Sequence, residues 1–352
     1  MLFRYILFHY VKNMLILLFT LTGLFTGLDF LIGGTNLPSF NIKVLYIFNR
    51  WQESLNLLYP LAIIFGGIWT QISFIKQNTL GALYALGVSR TELFRPFLFA
   101  SLFTYLLFVG LNFTQFATAS DVANGIKKGR IYDKDTKDLF FKYNNSFVYV
   151  KKLIPRDKKM ANVTIFKLKN YRVYEILEAK EAKYIDKGSY WLAKDIKREI
   201  IISKNGEKRL KIEHLDKIDT LKGYNPKILN SIYENKKLTL YESLIAKNLL
   251  STQGIGTDKV RAEIYNIIVI PLFSIALLMI LIFRFPFHAR YINIVSVTTQ
   301  ALGGTLFIWG ILFASYRMGA NGVVSPEIAI FTPMVIIWIY AIYTYTQANS
   351  RI

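Results

Sequence analysis

Few residues in this 352-residue chain are of types and spacings that do chemistry. Asp29 is the only acid deep in an apolar stretch, and an ionisable group in hydrocarbon is costly unless it pairs or meets water. It marks either a functional site or an interfacial pair, and the residues alone leave both open. His9, His214 and His288 lie far apart in sequence, and cysteine is absent, so no metal centre is expected. No serine elbow, zinc-protease motif or G-x-x-x-x-G-K-[S/T] loop occurs. No catalytic residues are expected, the chain is read as a non-enzyme, and it cannot by itself cradle a nucleotide in the usual P-loop way.

A second run bears on contact rather than catalysis: Lys76-Gln-Asn-Thr-Leu-Gly-Ala-Leu-Tyr-Ala-Leu-Gly87-Val-Ser-Arg90. Asn78 or Thr79 is placed to cap a short helix, and Leu80, Leu83 and Leu86 recur at helical spacing. Gly87 sits where that helix stops, and Ser89 with Glu92 reads as a capping box for the next one. Such an amphipathic helix either lies on the bilayer surface or docks into a partner.

The elements that position these residues follow from hydropathy. Apolar runs lie at about 13–33, 56–75, 96–117, 264–283, 292–316 and 327–346. Each approaches the ~20 residues a helix needs to cross ~30 Å of hydrocarbon. The first is too long for a signal-peptide core and is expected to be a retained span. The fold class expected is an α-helical membrane protein with six transmembrane helices (3+3) and an inserted all-β domain. Boundaries are expected at 1–120, 121–255 and 256–352. The chain is 53% hydrophobic with a net charge of +20, yet residues 121–250 hold 30 Lys+Arg against 17 Asp+Glu, so charge is excluded from the apolar parts.

Short-loop charge sets orientation, because long domains translocate largely regardless of theirs. Arg4, Lys12, Lys76, Arg90, Arg95, Arg284, Arg290 and Arg351 fall on one side with a single acid, Glu92. The opposite side holds Lys43, Arg50, Glu53 and Arg317. Both termini are expected in the cytoplasm and the basic block outside, which in a Gram-negative cell means the periplasm. That block carries strand signals: a hairpin at 140–150 turning at Asn144-Asn145, alternation over 163–169, a turn at Asp186-Lys-Gly188, and a type I′ signal at Asn205-Gly206. An antiparallel sandwich or open roll is expected, with a helix near 238–250. Gly66-Gly67 and Gly303-Gly304 permit close helix approach.

The layout, Leu80-x-Ala-Leu-x-Ala-x-Gly-x-Ser89, Ala161-Asn-Val-Thr-Ile-Phe through Tyr190-Trp-Leu192, Ala262-Glu-Ile with Pro271, and Ser325-Pro326 with Pro333 and Trp338 together resemble the LptF/LptG (YjgP/YjgQ) permease family over essentially the whole chain. The resemblance implies a periplasmic jellyroll-like domain and a permease subunit that extracts lipopolysaccharide from the inner membrane for a periplasmic β-jellyroll bridge. It implies a cytoplasmic ABC ATPase dimer carrying ATP and Mg, a paralogous permease, periplasmic jellyroll and single-span bridge proteins, and no nucleic acid. No cofactor is bound by this chain itself. The helix at about 77–88 becomes a coupling helix: Thr79, Leu80, Ala82, Leu83, Tyr84, Ala85, Gly87, Ser89 and Arg90 meet the ATPase. The leucines supply apolar contact, and Gly81, Ala82 and Ala85 allow close approach. Thr79 and Tyr84 stand where the family commonly has Glu and Arg, so charged contacts there are not expected.

Spans 1 and 5 are placed by the resemblance at a lateral gate, with Asp29, Lys43, Arg50 and Arg317 as substrate-binding candidates and the three cations as phosphate contacts. Asp29 tilts the likeness toward the LptG-like member. Two rival classes are an envelope enzyme with its site in the outer domain and an ABC-linked regulator that moves no substrate. The first needs convergent acid, base or nucleophile groups, and the strand region shows dispersed Lys and Glu instead.

Overall fold

The computed structural model describes residues 1–129, 135–170, 172–204, 207–234, 236–284 and 293–349. Its elements in chain order are helices α1 (Leu2–Gly33), α2 (Phe40–Lys76), α3 (Thr79–Ala85), α4 (Arg90–Leu111) and α5 (Ala119–Lys127), then strands β1 (Thr136–Tyr143), β2 (Ser146–Ile154), β3 (Lys159–Lys169), β4 (Arg172–Ile185), β5 (Tyr190–Lys204) and β6 (Glu207–Thr220). Helices α6 (Pro226–Glu234), α7 (Leu240–Thr252), α8 (Asp258–Ile268), α9 (Phe273–Arg284), α10 (Ile294–Ala320) and α11 (Pro326–Asn349) follow. Two compact units result: Met1–Ser120 with Asp258–Ile352, and Asp121–Thr257. The expected turn at Asn205-Gly206, the loop residues His288 and Arg290, and Arg351 lie outside the described residues.

Six segments of the helical unit are long and apolar enough to cross a membrane: α1, α2, α4, α8 with α9, α10 and α11. The 34–55 loop expected from hydropathy is helical from Phe40, so Arg50 and Glu53 sit on α2. Hydrocarbon offers no water, so each interruption of a span needs internal partners. Pro271 cannot donate and breaks the fourth span at a 3₁₀ turn, Ile270–Leu272. Leu272 N–H turns to Val269 O at 3.2 Å instead of Ile268 O, and the Tyr105 hydroxyl of α4 donates to the Ile268 carbonyl at 2.9 Å. Gly66 lets α2 reach α1, since a Cβ there would lie 2.7 Å from Met14 Cα, and a Cβ on Gly67 would lie 2.2 Å from Leu278 Cδ1. A Cβ on Gly303 or Gly304 would meet nothing within 4 Å among the described residues.

The second unit is a six-stranded antiparallel meander in the order β1-β2-β3-β4-β5-β6. Its registers place one residue of each strand in a single row: Asp138, Lys151, Asn162, Lys180, Asp195 and Asp216, and ladder pairing is interrupted at all of them. Asp138, Asn162 and Asp195 have φ of 55°, 51° and 50°, a left-handed conformation that Asp and Asn tolerate better than most residues. All six are exposed. Core-facing parity slips at this row: β3 buries Met160 on one side and Val163 and Ile165 on the other, and β4 buries Leu177 and Ala179, then Ala182 and Tyr184. The sheet is therefore creased across its whole width, which lets both halves of each strand contribute to one core around Leu139, Val150, Val163 and Trp191.

Toward the hairpin tips the inner face turns ionic. Glu175, 4% exposed, accepts from Arg198 Nε at 2.8 Å and Lys167 Nζ at 3.0 Å, and Arg198 also reaches Glu213 at 3.2 Å. Burial raises the Glu175 carboxyl, but hydrogen bonds from Arg198 and Lys167 outweigh it and hold the group below the usual range. The stability this contributes is present above the unfolded value of about 4.3 and is lost as pH falls through the lower folded value. Glu175→Gln is expected to lower the thermal midpoint at pH 7 and to flatten the loss of stability below about pH 4.3, measured by thermal unfolding in detergent across pH.

Candidate functional site

The segment that joins the second and third spans is built to be rigid. Asn78 caps α3 with a left-handed backbone (φ 56°) and without a side-chain cap bond. At the other end Gly87 (φ 81°) closes a double bond pattern, Val88 N–H to Leu83 O and Gly87 N–H to Tyr84 O, both 3.0 Å. This is the Schellman arrangement, and it needs the left-handed residue that glycine supplies. Ser89 then caps α4, its Oγ accepting from Glu92 N at 3.2 Å while Glu92 Oε2 accepts from Ser89 N at 3.2 Å. Arg90 donates to the Phe283 carbonyl of α9 and hydrogen-bonds Tyr84.

The three leucines do different work. Leu80 is buried in the core of the helical unit, and Leu83, Tyr84 and Val88 pack against that core. Leu86 is 80% exposed, and Ala82, Ala85 and Gly87 share its exposure. Thr79 is half-buried at the first turn. Leu80 and Leu83 therefore anchor α3 to its own chain, because a short helix gains its stability from packing. Of the three leucines, Leu86 is the one left exposed, together with the small residues beside it.

The charged candidates lie toward the end of the helical unit opposite the N-terminus. Arg50 is 7% exposed, with Nε 2.8 Å from Asp29 Oδ2 of α1 and Nη1 2.5 Å from Glu53 Oε2. Tyr46 donates to Asp29 and lies within reach of Arg50 Nη2 at 3.4 Å. Asp29 and Arg50 thus join as partners, and the guanidinium expected to meet phosphate is engaged by two carboxylates of its own chain. Arg50 is buried while Asp29 is one-quarter exposed, and the pair ties α1 to α2. Lys43 is half-buried in the first turn of α2, two turns from Arg50. Arg317 is exposed in the last turn of α10, over the rings of Phe313 and Tyr316 at 5.3 and 5.9 Å.

A second ionic cluster was not anticipated. Arg261 of α8 pairs with Glu327 of α11 at 2.6 Å and with Asp258, Tyr265 donates to Glu327 at 2.8 Å, and Tyr316 of α10 donates to Glu263 at 2.8 Å. These bonds stitch spans 4, 5 and 6. The only sequence signal was the i, i+3 spacing of Asp258 and Arg261, which says nothing of Glu327. In the β unit the crease row borders an open groove of about 630 Å³ with Glu178, Lys180, Asp195 and His214 along it. Among the described residues no group of three or more His, Cys, Asp or Glu is placed to hold a metal.

The edge of β1 is filled by its own unit. Thr136 donates to Asn230 Oδ1 at 2.9 Å, Tyr233 Oη accepts from Phe140 N–H at 3.0 Å and donates to the Phe140 carbonyl, Tyr224 Oη donates to Lys142 O at 2.8 Å, and Asn144 N–H donates to Gln253 Oε1. An unpaired edge invites another strand, so this set closes one side of the sheet. No comparable set falls on β6, the opposite edge, among the described residues.

Leu80→Ala is expected to destabilise the helical unit by about 2–4 kcal/mol, the cost of a buried leucine truncation, whereas Leu86→Ala changes the thermal midpoint little. Paired thermal unfolding in detergent checks both.

No curated protein matches the chain. A family model does, over residues 4–347, and its description, lipopolysaccharide export system permease LptF/LptG, covers both members without separating them. With six membrane-crossing segments, an antiparallel sheet inserted after the third, and that match across nearly its whole length, the chain belongs to the LptF/LptG family of lipopolysaccharide export permeases.

Proposed function

We propose that this chain is one of two permease subunits that a cytoplasmic ABC ATPase dimer drives to lift lipopolysaccharide from the inner membrane toward a periplasmic jellyroll bridge. The observation that carries the coupling half is α3 itself: a short helix anchored by Leu80, ended by the Gly87 motif, and presenting Ala82, Ala85 and Leu86 outward. Small residues let a partner groove approach closely, and Leu86 supplies an apolar knob. Orientation follows the short-loop charge, with α3 and the termini cytoplasmic and the β unit periplasmic. ATP and Mg reside on the ATPase.

Spans 5 and 1 are the least buried of the six, with 11% and 17% of their apolar windows buried, which suits faces completed by the paralogous permease and by lipid. Nucleotide binding would draw the coupling helices of the two permeases together and narrow the cavity between them. Lys43 and Arg317 are the cations we assign to the phosphorylated headgroup; Arg50, with Asp29, frames that site. The β6 edge would receive the strand of a bridging jellyroll, and acyl chains would reach the core-facing rows, where Val163 and Ile165 are now buried by their own unit, only as that core opens.

The test is co-expression with the neighbouring ABC ATPase and second permease, purified through a tag on this chain. A stable complex retaining lipopolysaccharide is expected; this chain recovered alone, without ATPase or lipid, would favour an envelope enzyme instead. Leu86→Glu is expected to lose the ATPase from the purified complex while the chain's thermal midpoint holds, and normal recovery would contradict the assigned surface. Photo-crosslinkers at Val163 and Ile165 are expected to trap lipopolysaccharide, and those at Thr164 and Phe166 to miss it. On the other side of the crease the reactive position becomes Met160, so trapping that ignores this parity would refute the path.

A further inference from the structure

The buried residues of α1 are Ile6, Tyr10, Met14, Leu18, Thr22 and Thr26, one at every fourth position. They form a single ridge, and bonds to α2 recur along it. Near the N-terminal end Tyr10 Oη donates to Ile63 O at 3.0 Å, Asn13 Nδ2 donates to Thr70 Oγ1 at 3.0 Å, and Gly66 lies against the Met14 backbone. In the other half Trp51 Nε1 donates to Thr22 Oγ1 at 3.1 Å, and the Thr26 and Ser54 hydroxyls are 3.0 Å apart. Asp29 closes the series, accepting a hydrogen bond from Tyr46 Oη of α2 and forming an ion pair with Arg50, whose Nε lies 2.8 Å away. In hydrocarbon a donor pulled from its acceptor finds no water to replace it, and Arg50 drawn away from Asp29 would lose a carboxylate in a site that is 7% exposed.

We infer that spans 1 and 2 move as one body, latched by the side-chain seam that ends at Asp29–Arg50, and that any opening for substrate occurs at other faces of α1. The first half stands on the seam alone; the second rests on the transporter reading. Arg50 is in this account a positioning residue, acting on substrate only through the placement of α1.

The chain has no native cysteine, so Thr26→Cys with Ser54→Cys introduces a single pair across the seam. The full chain, with its ATPase and second permease in lipopolysaccharide-containing nanodiscs, is oxidised with and without ATP. The expected result is a disulfide yield that does not change with nucleotide, and lipid release after oxidation within about two-fold of the reduced rate. A yield that shifts several-fold with nucleotide, or release that falls about ten-fold on oxidation and returns on reduction, would overturn the inference. Adding Asp29→Asn or, separately, Arg50→Gln to the pair is expected to lower the yield several-fold; an unchanged yield in both would overturn the latch at this residue pair. Release absent from the cysteine-free chain as well would overturn the transporter reading, and the second half with it, while a nucleotide-independent yield would still uphold the seam.

Discussion

The seam between α1 and α2 is the constraint on which the helical unit depends. Six membrane-crossing segments have little hydrophobic force to hold them together, because lipid is as apolar as the side chains they would bury. Adhesion comes instead from close approach and satisfied polar groups. Gly66 supplies the first against Met14, and the bonds of Tyr10, Asn13, Thr22, Thr26 and Asp29 supply the second. Without them the far half of α1 keeps only apolar contacts, such as Leu18 and Leu21 against the core and Phe19 on the ring of Trp51. The same logic recurs where Tyr105 donates to the Ile268 carbonyl beside the break at Pro271, and where Arg261, Glu327, Tyr316 and Glu263 tie spans 4 to 6.

In the β unit the organising feature is geometric. A flat six-stranded sheet offers one face to a core, whereas a row of left-handed Asp and Asn residues on alternate strands creases it and resets which side chains face in. One consequence is an apolar inner surface that changes parity in mid-strand. Another is the ionic network around Glu175, which ends that apolar surface toward the hairpin tips. The bonds of Tyr233, Tyr224 and Asn230 close the β1 edge, giving the sheet a direction in which it can be extended.

The sequence made the architecture legible because hydropathy and charge separate so cleanly. Spans, the inserted strands, the Asn144-Asn145 turn, the Ser89–Glu92 capping box and the stop at Gly87 are local signals, each set by residues within a few positions. The site was less legible for the opposite reason. Whether Leu80 faces a partner or its own core depends on residues of α2 and α4 that no helical periodicity identifies. Arg50 read as a loop cation because its helix begins at Phe40, in a stretch too polar to register as membrane-crossing. The crease was hidden because each strand alternates normally on either side of it. Only the registers show that Asp138, Asn162 and Asp195 are aligned.

The claim that joins these parts is that this permease converts events on an attached ATPase into release of lipopolysaccharide. The direct measurement is ATP-dependent loss of lipopolysaccharide from vesicles that contain the assembled complex, followed by capture on a soluble β-jellyroll acceptor. The account predicts transfer that requires ATP and stops when the exposed face of α3 is disrupted by Leu86→Glu. ATP hydrolysis at full rate with no lipid leaving the vesicle would contradict it.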